Sequence, residues 1–512
     1  MGVTGRHAAP LLRAVFWAVL GAVLGITVGV GPAFAGEDFV PEMSPEASQV
    51  EHEEEVFAPD PSYADEPYDI DAQVAIYGGK REVVAPRPLL EAGREIYTAG
   101  PFQPAYTFLG DKNPVIPRLY IYGDVQTVLG YADNGATELG QLAARLNLDV
   151  DFQITSTERI HAFLRPLDHD GAFTRCELFG GDDDDNCNEA LSHEIQTLFF
   201  EGDVGPIAMG LTGEENTIDL PFAAGFTPML LQNGIWLEDA AIGGAVTVPF
   251  RHSRALDISN MDITAFAFVD EVDSRAFRNS AGGNAQHGVN VFGATTFIEA
   301  TEGYWELGYG YSAGEGRLDP FSYHNLTAAF TKRYFNRLNN SLRVIWNVGQ
   351  DPDPGSQQTA DGVALFAENS LIVNEPATIV PYLNLFAGFD RPQGLGQQAR
   401  GILKNTGVNF ETDAITQFPK LDDSGNDTWG GAIGLEYLFA LDQQVVVEFA
   451  TNQVMGSRGE PGRPAFDDEY AVGLRYQIPI TKAWIVRADA IYGWRDGIAD
   501  IRGARLEIRR KF

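Results

Sequence analysis

From Leu142 to Ile154 apolar and polar residues alternate almost without a fault. Leu142, Ala144, Leu146, Leu148, Val150, Phe152 and Ile154 fall on one parity, and Arg145, Asn147, Asp149, Asp151 and Gln153 on the other. An extended chain projects successive side chains to opposite faces, so this segment presents one greasy and one charged surface. It outruns the globular strand of about 5–6 residues and exceeds the roughly 9–11 that a tilted membrane strand needs. Segments 433–437, 445–449, 472–478 and 484–490 repeat the pattern, each setting a charged residue or glycine between apolar neighbours. A soluble β-sandwich produces the same alternation. Segment length, segment number and the character of the N-terminus favour lipid against the greasy face. The predicted fold class is all-β: a transmembrane, antiparallel, up-and-down β-barrel over residues 118–512, with about 18 strands and 16 as the alternative count.

The connections carry an independent signal. Thr155–Glu158, Thr301–Gly303, Glu375–Ala377, Leu441–Gln443 and Thr481–Lys482 read as tight turns. They alternate with longer connections at about 166–192, 271–287, 351–360, 391–428 and 455–466. Short turns at one end and long loops at the other are expected of outer-membrane barrels. Aromatic residues near segment ends, among them Tyr120, Tyr122, Trp305, Tyr309, Trp429, Trp484 and Trp494, suit interfacial girdles.

Ahead of the barrel, Arg6 and Arg13 flank the start of an apolar run from Ala14 to Val30, which ends at Ala33-Phe34-Ala35. That is the pattern of a secretory signal over residues 1–35. Downstream no apolar run reaches about 18 residues, so a membrane-bound chain must cross by strands. Residues 36–71 are acidic, proline-interrupted and poor in apolar residues, and are expected to be disordered. Residues 72–117 read as a periplasmic appendage or a plug, with an unstructured linker as the other reading. These boundaries imply the outer membrane of a diderm bacterium, in contact with lipid and lipopolysaccharide.

A formal net charge of −35 argues against nucleic acid as a partner. The two cysteines, Cys176 and Cys187, lie in one predicted loop and are expected to pair in an oxidising compartment. No cofactor is predicted. The acidic stretches Asp182–Asp185 and Asp422–Asp427 are weak as calcium loops, and solvated acidic tips are the preferred reading. His161, His193 and His252 lack a recognisable nucleophile setting, and no Gly-x-Ser-x-Gly elbow occurs, so no enzyme is predicted.

Two features resemble single-chain outer-membrane porins and alginate-export-like barrels. One is the terminal segment, where Phe512 is preceded by Ile508, Leu506 and Ala504 on one face, interrupted by Arg510. It resembles the carboxy-terminal signal read by the barrel-assembly machinery. The other is Glu194–Gly210 followed by Leu230–Ala240, which looks like strand, tight turn, strand and lumen-facing loop. Met209-Gly210-Leu211-Thr212 stands where such families often carry an arginine. The resemblance implies passive or facilitated diffusion of small hydrophilic solutes. A barrel scaffold docking a polymer-export or electron-transfer partner is the alternative, and a homo-oligomer is compatible with either.

Charge on the lipid face near the midplane costs about 2–4 kcal/mol for Arg or Lys, so charged strand residues are assigned inward by elimination. The expected pore-lining residues are Arg145, Asp149, Asp151, Arg159, Arg165, Glu306, Glu436, Glu448, Arg475, Arg487, Asp489, Arg505 and Glu507, with His161 and Arg509 as further candidates. They either select solutes or merely solvate and brace the wall. Residues 220–231 are too apolar for a free loop and carry Pro221, Gly225 and Pro228. The favoured reading is a constriction loop folded into the lumen, bringing Glu214, Glu215, Asp219, Phe222 and Phe226 to the narrowest point. An oligomer contact and a wall strand are the other two readings.

Overall fold

The computed structural model describes residues 85–96, 105–169, 171–180, 187–279, 282–397, 401–411, 414–440 and 442–512. The chain divides into two compact units, residues 1–85 with 91–104 and residues 86–90 with 105–512. Of the first unit, residues 85 and 91–96 alone are described, so the expected signal and acidic lead lie outside the described residues, as do residues 72–84 and Asp182–Asp185.

In the second unit, 18 strands form a closed antiparallel barrel. They are β1 (Arg118–Asp133), β2 (Glu138–Gln153), β3 (Arg159–Leu164, resumed as Arg175–Phe179), β4 (Ile195–Asp203), β5 (Pro221–Leu231) and β6 (Leu237–Ser253). Then follow β7 (Ile258–Asp270), β8 (Val289–Ala300), β9 (Gly303–Gly314), β10 (Tyr323–Tyr334), β11 (Leu338–Val348) and β12 (Val363–Leu371). The last are β13 (Ile379–Phe389), β14 (Thr428–Phe439), β15 (Gln443–Val454), β16 (Glu469–Pro479), β17 (Trp484–Arg495) and β18 (Ile501–Lys511). Each pairs with the next, and β1 pairs with β18 from Asp124↔Lys511 to Asp133↔Arg502, which closes the wall and leaves no sheet edge. Among the described residues no helix is long and apolar enough to cross a membrane.

Directly paired residues of an antiparallel ladder share a face, so register carries the inner face around the wall. One such row runs Arg475↔Asp489↔Arg505↔Gly130↔Gln141. The opposite face exposes Leu129, Leu142, Leu307, Leu326, Trp346, Leu365, Leu385, Ile433, Val447, Phe449, Val472, Leu506 and Ile508. These come from strands all around the barrel, an apolar belt far larger than a water-facing surface tolerates. Of the girdle aromatics, Trp305, Tyr309, Trp429, Trp484 and Trp494 take this outer parity, whereas Tyr120 and Tyr122 pair with Asp151 and Asp149 and face inward. On the terminal strand Leu506 and Ile508 point outward, and the interrupting Arg510 lies over the Trp484 ring at 5.5 Å.

Tight turns at 154–158, 254–257, 301–302, 335–337, 440–442 and 480–483 share one end with the longer connections 204–220 and 372–378. At the other end lie 271–288, 349–362, 390–427 and 455–468. The expected side of each loop is therefore reproduced. Cys176 and Cys187 are disulfide-bonded at the long-loop end. The segment read as tight turn and second strand is instead a helix, α1 (Val204–Thr212), so Met209–Thr212 never enters the wall. Asp203 caps its start by accepting from the Gly205 N–H, and left-handed Gly213 ends it.

The predicted constriction loop is overturned. Residues 221–231 are β5, a wall strand paired with β4 and β6. Phe222 and Phe226 take the outward parity, while Ala223, Gly225 and Thr227 take the inward one. Pro221 opens the strand and Pro228 lies past the last residue paired with β4, where a missing N–H breaks no ladder on that side. Glu214, Glu215 and Asp219 sit in the connection after α1 at the short-turn end, with Glu215 bonded to Lys112 at 2.7 Å.

Candidate functional site

The large buried apolar side chains sit inside the barrel, in its long-loop half. Trp236, Phe268, Phe277, Tyr323, Ile345, Leu395, Ile402, Leu403 and Phe410 are almost fully enclosed. They are brought together by three inward-folded segments: the tip of the β5–β6 hairpin (232–236), the described residues of 271–285, and above all those of the long connection 390–427. The last was expected to be an external loop.

Its path is fixed by wall side chains that offer polar groups to its backbone. The Tyr323 hydroxyl donates to the Gly394 carbonyl at 2.9 Å, and the Asn325 and Asn347 amides donate to the Gln393 carbonyl at 2.9 and 3.0 Å. Gly396 and Gln397 pair with Leu237 and Glu238 as a short parallel ladder. Further along, Asn384 donates to the Thr406 carbonyl at 2.6 Å. Buried Glu448 then accepts from the Val408 N–H, the Asn409 N–H and the Asn409 amide, each at 2.8 Å, and from the Tyr382 hydroxyl at 2.5 Å. The loop finally crosses to the first and last strands, where Thr416 lies against Gly130 and Phe418 against Gly503 and Arg505.

The wall is thinned where it meets these segments. A Cβ at Gly308 would stand 2.6 Å from the Trp236 ring, and one at Gly310 would stand 2.6 Å from Leu395. The hairpin tip is pinned by the Trp236 indole N–H to Asn325 at 2.9 Å and by the Thr327 hydroxyl to the Gln232 side chain at 2.7 Å. Arg343, buried beneath it, donates to the Gln232 carbonyl and faces Glu368 at 3.5 Å and Glu306 at 3.9 Å.

Toward the short-turn end the interior carries charge instead. By register Asp149, Asp151, Arg159, His161, Glu201, Glu306, Glu436, Arg487, Glu507 and Arg509 all face inward there. Arg159 bonds Glu201 at 3.1 Å, and His161 lies 3.3 Å from Glu201 with its ring stacked on Phe199. At mid-height Asp489 accepts from Arg475 at 2.7 Å, Arg487 at 2.9 Å and Arg505 at 2.6 Å, while Glu507 pairs with Arg509 at 2.9 Å. From the inserted loop, Glu411 bonds Arg475 and stands 3.8 Å from Arg487.

The strand residues proposed from sequence for the lining thus have inward parity, although their situations differ, and Arg165 lies outside the strands. Arg145 is capped by Asp168 at 2.8 Å and by the Phe173 ring, both from the inward excursion 165–174 that interrupts β3. Arg165 starts that excursion and lies over Phe163. Glu448 is a loop anchor closed off from solvent. Residues that sequence reasoning missed are Glu411, Glu201, Arg343 and Glu368, whereas the tip 232–236 falls within the Leu230–Ala240 stretch that resembled a lumen-facing loop. Gly308 and Gly310 at inward positions were the available signal, since they leave room for something to lie against the wall.

The acidic stretch Asp422–Asp427, read as an external tip, is folded inside. Asp423 is held by Arg275 at 3.2 Å, by Lys420 and by the Gly401 N–H at 2.9 Å. Burial works to raise its carboxyl, but Lys420 and Arg275 outweigh burial and hold it below the usual carboxylate range. Among the described residues no group of three acidic, histidine or cysteine ligands converges.

No family model matches the chain, and no curated protein sequence does. Among solved structures it is similar to OccK5 (OpdH) of Pseudomonas aeruginosa, at 12% identity and a TM-score of 0.47, over 77% of this chain and 98% of that one. It is likewise similar to OccK2 (OpdF) of that organism, at 11% identity and a TM-score of 0.48, over 77% and 97%. The outer membrane protein OpdK matches at 11% identity and 0.47, over 77% and 98%. Likeness of this degree says nothing of solute or selectivity.

Proposed function

We propose that the chain is an outer-membrane channel through which small hydrophilic solutes diffuse down their gradients. One observation carries the reading: a closed wall of 18 strands sets an apolar belt outside while its charged strand residues gather on the inside. Barrels of about this strand number have an interior wide enough for water. The inserted segment 390–427 supplies the narrowing, and the mixed-sign groups of the lower half supply the field that solutes meet. The outward Leu506 and Ile508 ahead of Phe512 fit presentation to barrel-assembly machinery.

In planar bilayers the purified full chain is expected to give stable discrete open steps. Replacing residues 391–426 by a tight turn should raise the step size severalfold, whereas removing 214–219 should leave it unchanged. A chain that opens only after loop removal would favour the sealed docking barrel, and no steps from either chain would overturn the channel.

A further inference from the structure

We infer that Glu411, carried into the lumen by the inserted loop, sets the charge preference of the channel by occupying two wall arginines. The inference rests on the channel reading and concerns this side chain alone. Arg475 and Arg487 lie on neighbouring strands, share Asp489, and both turn to Glu411. Asp489 also accepts from Arg505, so three guanidiniums converge on one wall carboxylate at this point, and a further carboxylate comes from the loop.

Glu411 is also placed where ions travel. Its side chain is 44% exposed, against 5% for Asp489, so the loop carboxylate is wet while the wall carboxylate is sealed. A cavity of about 40 Å³ opens beside it between loop and wall, lined by Val408, Asn409 and the arginines themselves. That is room for a water or small ion. A charge in such a position acts on both ion signs at once, attracting cations and repelling anions. The loop is fastened independently of it: Glu448 holds the preceding Val408 and Asn409 through hydrogen bonds that leave Glu411 out. Removing the Glu411 charge therefore changes the field without removing the anchor.

The test is the reversal potential of the full chain in a potassium chloride gradient, at 0.1 M and again at 1 M mean salt. Glu411→Gln is expected to raise the chloride-to-potassium permeability ratio by a factor of about two to five at the lower salt, the effect of one unit charge several ångströms from the ion path. Glu411→Asp, which keeps the charge, should stay near the wild-type ratio. The difference should fade at 1 M salt, where the screening length falls to about 3 Å. A Glu411→Gln chain with an unchanged ratio overturns the assignment. So does a changed ratio that persists undiminished at 1 M alongside a larger conductance, because that marks release of the loop rather than loss of a charge. A wild-type chain that never opens fails at the earlier step and overturns the channel itself.

Discussion

At the scale of single residues, buried polar groups decide where the inserted chain lies. Glu448 collects four donors, two of them backbone N–H groups of the 407–410 turn. Glu448→Ala strands those donors at about 1–3 kcal/mol each, so the turn should come away from the wall. Hydrogen exchange should then show lost protection at Val408 and Asn409 while the amides of β15 stay protected. A second carboxylate, Glu158, works at the short-turn end, where it accepts from Asn113 at 2.7 Å, Thr157 at 2.5 Å and Thr155. Burial acts to raise its carboxyl, and the hydrogen bonds from Thr155, Thr157 and Asn113 outweigh it, so it titrates below the ordinary glutamate range. A lowered folded-state value gives stability that is present above the unfolded value of about 4.3 and is lost as pH falls through the folded one. Protection of the Ile116 amide, which donates to Ile154, should hold at neutral pH and fall away below about pH 4. Glu158→Gln should flatten that dependence.

At the scale of elements, the short-turn end is built by close backbone approach. Residues 105–117 form a small hairpin closed by the Tyr106↔Val115 bridge, and its tip meets α1. Gly110 has φ +103°, and a Cβ there would stand 1.9 Å from the Gly210 carbonyl oxygen. Gly110→Ala is therefore both strained and obstructed, and the hairpin should detach. Limited proteolysis should cut the variant within 105–117, with bilayer conductance unaffected because the wall starts at Arg118. β5 illustrates how composition misleads. Pro221, Gly225 and Pro228 look like strand breakers, yet a strand end and a stretch without a partner on its β4 side absorb both prolines, and β5 joins the wall as an ordinary rung.

At the scale of the whole molecule, stability depends on which medium each face meets. Ile433 stands in the middle of β14 on the outer face and is 56% exposed. Ile433→Arg should cost about 2–4 kcal/mol in the bilayer. Gln444→Arg, on the next strand but facing inward beside Glu436, should be tolerated. Urea unfolding in lipid vesicles, followed by the heat-dependent gel mobility of folded barrels, distinguishes the two. Equal losses in both variants would contradict the assignment of faces.

Much of this barrel was legible along the chain because a strand writes its two environments into alternate residues. Leu142–Ile154 told lipid from lumen with no knowledge of its neighbours, and the contrast of tight turns with long connections told one end from the other. Arg145, Asp149, Arg475 and Asp489 could be turned inward on the same ground, since for a charge in mid-strand parity decides between hydrocarbon and water. Which loop narrows the interior had no such local cause. Leu395, Ile402, Leu403 and Phe410 are spaced without a period, and their burial depends on Gly308, Gly310, Asn325, Tyr382 and Glu448, residues brought to them from other strands only once the wall has closed. Tertiary contact alone could choose 390–427 over 214–231, because the free energy that holds a loop inside a barrel resides in the surface it meets there.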